Sequence, residues 1–224
     1  MCQNPCLVKG KVVVEVGAGT GMLGMVAAKL GAKRVVLTDC EVVIPILNRT
    51  VQLNYGSVEG AAKGETDNGC VVEVRPLLWG KKEDLDWFVD GSVLADVCVG
   101  VDIVFFMEQK MLRQLAFSFR KLLGVSSGSE KGALVQEGES EKAEVALDKV
   151  NVVVGYESRG SVMTDIEFFQ AMRDMGFERP TTVEMGDLAD KKTPSDELAM
   201  YLFTDAGGEE VFKGDEDGEI TGNK

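Results

Sequence analysis

Apolar and polar positions fall into blocks that switch between two periods. Val12 to Val16 is a short β-branched run closed by Gly17, the pattern of a strand buried on both faces. Thr20 to Leu30 then carries Leu23, Val26, Ala27 and Leu30 at helical spacing and stops at Gly31. Arg34 to Thr38 reads as a second strand, closed by Asp39. A second helix is expected from Glu41 to Asn54, with Val43, Ile46, Leu47 and Val51 on one face and Pro45 in its first turn. Tyr55 to Gly69 is rich in glycine and charge and reads as a surface loop. Val71 to Val74 is a third strand leading into Pro76-Leu77-Leu78-Trp79-Gly80, and Asp96 to Val101 opens a fourth. Phe106 to Leu123 is expected to be helical.

The stretch from Gly124 to Lys149 is rich in Gly, Ser, Glu and Lys and reads as a flexible insertion, with Ala133 to Gln136 a candidate strand turn within it. Val150 to Gly155 is a fifth strand, and Thr164 to Met175 a helix ending at Gly176. Phe177 to Met185 and Leu198 to Thr204 read as a final antiparallel pair. Residues 205–224 form an acidic, glycine-rich tail expected to be disordered. This organisation predicts one domain over residues 1–204. Strands alternating with helices imply a mostly parallel sheet covered on both faces, with its ligand beyond the carboxyl ends of the strands. The residues that follow each strand are therefore the ones that carry chemistry.

Composition narrows the chemistry. The chain of 224 residues is 45% apolar, enough for a full α/β core. Its 37 acids against 24 bases give a net charge of −13, which disfavours a nucleic-acid binder. There is no histidine, so the Ser-His and Cys-His nucleophile pairs and most catalytic zinc sites are excluded, and no metal site is expected. Five cysteines form no CxxC pair, and no signal peptide or membrane span is visible. The chain is expected to be reduced and cytoplasmic, with the nucleus as a second compartment.

The strand ends are distinctive. After the first strand the pattern is Glu15-x-Gly17-x-Gly19-x-Gly21. Glycines let backbone approach a ligand closely, and the helix that follows offers free N–H groups. Gly19-x-Gly21-x-x-Gly24 also fits the dinucleotide pattern GxGxxG, but there the first glycine closes the strand, and here Gly17 does. An acid at the strand end suits a nucleotide-like ligand with positive charge nearby and would repel a diphosphate. After the second strand, Asp39 can accept hydrogen bonds from two ribose hydroxyls or cap the next helix. After the third, Trp79 can lie against an adenine or belong to the core. After the fourth, Asp102 precedes Phe105 and Phe106, an acid with aromatics that can hold a cation, with one of the two rings expected to begin the next helix. After the fifth, Glu157 and Arg159 reach the same edge or pair with each other at the surface.

Together, the glycine motif, Asp39, Leu78-Trp79-Gly80, Asp102-x-x-Phe105 and Tyr156-Glu157-x-Arg159 resemble the seven-β-strand, non-SET protein-lysine methyltransferases that use S-adenosyl-L-methionine. The enzymes that modify chaperones, AAA ATPases and translation elongation factors are the nearest in kind. The resemblance runs from Gly10 to Thr204. It implies a Rossmann-like α/β fold with a seven-stranded sheet, mostly parallel with a C-terminal antiparallel strand. It implies that Gly17, Ala18 and Gly19 pass the amino-acid part of the cofactor, that Asp39 holds its ribose and Trp79 its adenine, and that Glu15 and Gly21 also belong to the cofactor site. Val101 would contact the cofactor through its backbone and Phe106 would line the pocket. Asp102, Phe105 and Glu157 would face the target amine, which a protein substrate presents to a monomeric enzyme.

The sequence departs from the family pattern in three places. Phe105 stands where the motif usually ends in tyrosine. Only about ten residues precede the first strand, where relatives carry a segment that helps close the cofactor site. The 124–149 stretch is longer than the usual turn. A small-molecule methyltransferase and a catalytically impaired cofactor-binding scaffold are the alternatives. A base methyltransferase would carry prolines after Asp102, and a nicotinamide dehydrogenase a second catalytic region after Gly160.

Overall fold

The computed structural model describes residues 4–56, 63–91, 93–105, 107–124, 147–157, 162–184 and 198–205. The candidate strand turn at 133–136, most of the 124–149 stretch and the tail from 206 lie outside the described residues. Eight strands make one sheet. In chain order they are β1 (Val12–Val16), β2 (Arg34–Asp39), β3 (Lys63–Glu65), β4 (Val71–Pro76), β5 (Val97–Val101), β6 (Val150–Glu157), β7 (Thr181–Glu184) and β8 (Leu198–Thr204). Their spatial order is β3-β4-β2-β1-β5-β6-β8-β7. β4, β2, β1, β5 and β6 are mutually parallel, β8 runs antiparallel to β6 and β7, and β3 runs antiparallel to β4.

The sheet therefore has one strand more than the seven expected. The extra strand, β3, lies in the stretch read as a loop. Three residues with a central glycine give no apolar alternation to detect. Gly64 has a packing reason instead: a Cβ there would come 2.7 Å from Tyr55 Cβ, so only glycine lets this edge close against the neighbouring helix.

Five α-helices cover the sheet: α1 (Met22–Lys29), α2 (Ile44–Tyr55), α3 (Lys82–Asp90), α4 (Gln109–Leu122) and α5 (Val162–Asp174). α3 was not expected, because its charged first turn and the run Trp87-Phe88-Val89 mask a helical face made of Leu85 and Phe88, both buried. α4 starts three residues later than its apolar pattern suggests, with Glu108 extended as the cap.

Strand side chains alternate between two cores. Val14 and Val16 of β1 face α3, α4 and α5 with Phe88, Leu112, Phe119 and Phe168. Val13 faces α1 and α2 with Ala27, Leu37, Leu47 and Val51. Arg120, 3% exposed, closes the far end of the sheet through a 2.5 Å ion pair with Asp205 just beyond β8.

β1 sits where strand order reverses: β2 lies on one side and β5 on the other. The crevice beyond the carboxyl ends of β1 and β5 is thus the topological switch point, where open α/β sheets bind ligands.

Candidate functional site

The loop from β1 to α1 is built on three left-handed glycines: Gly17 at φ 66°, Gly19 at 55° and Gly21 at 78°. β2 holds it in place. Ala18 N–H donates to Thr38 O at 2.9 Å, and Thr38 Oγ1 donates to Glu15 O at 2.7 Å. Gly19 N–H donates to Asp39 Oδ2 at 2.8 Å, while Cys40 N–H donates to Asp39 Oδ1 at 2.7 Å. Asp39 thus pins the apex of the loop. A carboxylate has about four lone-pair sites, so half-buried Asp39 can accept more hydrogen bonds than these two backbone amides supply.

The glycines are not equivalent. A Cβ on Gly17 would meet Ile103 Cγ2 at 2.6 Å, and one on Gly21 would meet Leu37 and Leu47 at 3.0 and 3.1 Å. One on Gly24 would meet Leu37 at 2.3 Å and Glu15 Oε2 at 2.7 Å. These positions are glycine because protein side chains occupy the space. Gly19 alone of the three loop glycines has nothing within 4 Å of a built Cβ. Its open face is the part of the loop a ligand can approach.

Glu15 is placed differently from its sequence reading as a residue facing the ligand. It shares the Val13 face of β1 and turns under α1, 4% exposed, where Oε2 accepts the Gly24 N–H at 2.7 Å. α1 has no side-chain cap of its own, so this carboxylate from the preceding strand satisfies one of its free N–H groups. Burial pushes the Glu15 pKa up to about 7. The Gly24 amide opposes that rise, nearby Asp39 adds to it, and the Leu23 amide opposes it.

Trp79 lies between the core and the glycine loop. It packs half-buried against the α3–α5 core, and its Cζ2 would lie 3.7 Å from a Cβ on Gly17, so one edge of the indole borders the loop. Its turn is fastened by Leu78 N–H to Asp84 Oδ2 and Gly80 N–H to Ser118 Oγ, both at 2.9 Å.

Across the crevice, Val101 ends β5 at 54% exposure. Asp102 follows at φ 55°, the one non-glycine residue with positive φ among the described residues, and its N–H donates to Gly155 O on β6 at 2.7 Å. Ile103 and Val104 turn inward at 4% and 2% exposure, and Phe105 returns to the surface at 45%. Asp102 itself stays exposed. Glu157 closes β6 at the same end of the sheet. Its side chain and the whole of Phe106 lie outside the described residues. Ile103 falls at one of the unspecified positions of Asp102-x-x-Phe105. Its only signal is an apolar residue one place after an acid that leaves a strand. The space that a Cβ on Gly100 would need is filled by Ile103 Cδ1, 2.4 Å from the built position.

Among the described residues no three His, Cys, Asp or Glu side chains form a group able to hold a metal ion. Cys40, beside Asp39, has its thiol pKa raised by burial and by that carboxylate, so it is no activated nucleophile.

A family profile described as lysine methyltransferase matches residues 4–145, more than half of the chain. The chain belongs to the lysine methyltransferase family. Protein N-lysine methyltransferase METTL21A of Danio rerio is 41% identical to it over 100 residues, which cover 45% of this chain and 39% of that protein. Protein arginine N-methyltransferase 1 of Saccharomyces cerevisiae is 48% identical over 52 residues, covering 23% of this chain and 15% of that one. The chain thus spans two fifths or less of the length of these relatives. In three dimensions it is similar to a TehB-like SAM-dependent methyltransferase from Corynebacterium glutamicum. The TM-score is 0.52 at 16% identity, and the match covers 88% of this chain and 81% of the other. At that identity the likeness speaks for the fold, which agrees with a methyltransferase-type sheet. The family match takes in β1 through β5, and so every loop residue from Gly17 to Phe105 described above.

Proposed function

We propose that this protein is an S-adenosyl-L-methionine-dependent methyltransferase that modifies a lysine side chain of a protein substrate. Family membership supports the reaction class. The observation that carries the site assignment is the pairing at the switch point of an open left-handed glycine, Gly19, pinned by Asp39, with an exposed left-handed carboxylate, Asp102. The residues fit the cofactor. Gly17, Ala18, Gly19 and Gly21 offer a backbone cradle for its amino-acid part, the spare acceptor capacity of Asp39 suits the ribose, and the edge of Trp79 suits the adenine. Val101 borders it through its backbone. Glu15, buried under α1 with its pKa pushed up to about 7, adds negative potential behind the loop only as it ionises above that pH, which suits a ligand bearing ammonium and sulfonium charges.

When bound, the cofactor supplies an electrophilic methyl carbon whose leaving group is already activated. The chain's own residues then have to align the amine. Alignment of two reactants contributes about 7–11 kcal/mol in well-oriented cases. Asp102 accepts hydrogen bonds from the incoming amine and fixes its direction. Phe105 gives it an apolar wall, which lowers the lysine pKa from its ordinary 10.4 or so toward the neutral form that can react. Glu157 is assigned to the same amine-facing edge. The proton is released to water.

A protein substrate is favoured by the rim of the crevice. Met22, Val42, Leu78, Val101, Phe105 and Met163 are 45–82% exposed and follow the carboxyl ends of β1, β2, β4, β5 and β6. Large apolar side chains gathered at one end of a sheet suit contact with a macromolecule. The net charge of −13 suits a partner that presents lysine. Cys6, Cys40, Cys70 and Cys98 are unpaired, which supports a reducing compartment, the cytoplasm or nucleus. No helix among the described residues is long and apolar enough to cross a membrane.

The test is calorimetric titration with S-adenosyl-L-methionine, followed by transfer of labelled methyl groups from it to the proteins of a cell extract. Binding with label on lysine is the expected result; the absence of binding sinks the reading. Phe105 lacks a hydroxyl that relatives carry, which favours one second reading, an impaired scaffold. Binding without transfer to any protein is its signature.

A further inference from the structure

We propose that Ile103 is a positioning residue for methyl transfer: its side chain, wedged between Gly17 and Gly100, sets the distance between the glycine loop and Asp102. This inference rests on the methyltransferase reading above.

Ile103 is buried at 4% exposure, yet it is separated from the exposed Asp102 by one peptide bond. Its Cγ2 occupies the space a Cβ on Gly17 would need, at 2.6 Å, and its Cδ1 the space a Cβ on Gly100 would need, at 2.4 Å. Gly17 begins the loop after β1, and Gly100 is the penultimate residue of β5. One branched side chain therefore plugs a notch left by two glycines on neighbouring strands. The indole edge of Trp79 closes the same notch, 3.7 Å from the built Gly17 position.

The backbone makes this geometry specific. Asp102 at φ 55° is in a conformation that costs an L-residue energy, and it persists only where its surroundings hold it. The hydrogen bond from its N–H to Gly155 O at 2.7 Å and Ile103 locked inward beneath the loop both help to hold it. If the plug shrinks, the loop and the Asp102 turn lose their common spacer. Gly19 keeps its bond to Asp39, which does not involve the plug. The donor should then still bind, while the amine is presented out of line. Misplacement of about 1 Å can cost a factor of about 100 in rate, so even one methyl group matters.

The experiment is a pair of substitutions and their combination. Ile103→Val removes Cδ1 alone. The expected result is a fall in kcat of about tenfold, with the dissociation constant for S-adenosyl-L-methionine within about twofold of wild type. Gly100→Ala alone forces a methyl group against Cδ1 and should also lower kcat. The double variant removes one methyl group and restores one in the same notch, a volume-conserving exchange. It should recover kcat to within about threefold of wild type. A role in stability alone would move the melting temperature and cofactor affinity together and would not split kcat from binding. The proposal is overturned if Ile103→Val leaves kcat unchanged, if binding and kcat fall in parallel, or if the double variant is no better than the worse single one. Wild-type protein that neither binds the donor nor transfers methyl groups overturns the methyltransferase reading as well. Active wild type with an indifferent Ile103→Val overturns only this one.

Discussion

The chain turns left-handed at both sides of its crevice, but with different residues. At the end of β1 three glycines take positive φ, where a missing Cβ makes the conformation cheap. At the end of β5 the same kind of turn is made by Asp102, which keeps its Cβ and its strain. The difference follows from what each side presents. The β1 loop presents backbone, and its open face at Gly19 has room for a ligand. The β5 turn presents a carboxylate, so glycine there would ease the turn and delete the group it displays. On the proposed reading, donor binding and amine alignment are separated onto two loops, with Ile103 packed between them.

That division is broken most severely at Asp102. Asp102→Ala should lower methyl transfer by about 100-fold or more, with donor affinity within about threefold of wild type. Paired turnover and calorimetry check it, and parallel losses in both would place Asp102 on the donor side.

The glycine side should fail in the opposite sense. Gly17→Ala combines a left-handed alanine with a contact of 2.6 Å to Ile103, together about 2–5 kcal/mol of destabilisation. Chemical denaturation should show that loss. Gly19→Ala bears only the conformational cost, about 1–2 kcal/mol. Its methyl group projects into open crevice, so donor affinity should fall by more than stability implies.

Glu15, beneath the loop, sharpens the comparison through pH. Its folded pKa of about 7 stands above the ordinary 4.5, chiefly from burial, so between those values the folded protein holds a proton that the unfolded chain has released. The stabilisation this gives is complete below pH 4.5 and lost as pH rises through about 7, on the order of 3 kcal/mol in all. Glu15→Gln keeps a neutral acceptor for the Gly24 amide at every pH. Melting curves of the two proteins should lie close at pH 5 and separate by pH 8, with the variant the more stable. Equal curves at pH 8 would mean that Glu15 ionises as freely as in water.

The smallest effect is expected from Asp102→Gly. Relief of the left-handed strain should raise stability by about 0.5–1 kcal/mol while transfer is lost. A drop in stability would show that the carboxylate, and not the turn, holds the β5 end together.

Much of this arrangement was legible beforehand. Val12–Val16, Arg34–Thr38 and Val150–Gly155 announce themselves as apolar runs, and Gly17 and Asp39 lie where the first two end. The direction of Glu15 was not read correctly, because a strand-end acid points to a ligand or under a helix according to the packing of α1. Period two does put it on the Val13 face, and that was the available signal. α3 escaped notice because Leu85 and Phe88 are flanked by acids and by Trp87. The inward turn of Ile103 was invisible, since nothing in the local pattern marks Asp102 as left-handed. The Asp102 N–H bonds to Gly155 O and Ile103 packs where a Cβ on Gly17 would lie, and both partners are far from Asp102 in the chain.

The central claim is that the two turns have separate duties, and donor titration of Asp102→Ala beside wild type tests it most directly. The account predicts near-equal binding of S-adenosyl-L-methionine by both proteins, with methyl transfer confined to wild type. Wild type that binds no donor, or a variant that loses binding together with turnover, would contradict it.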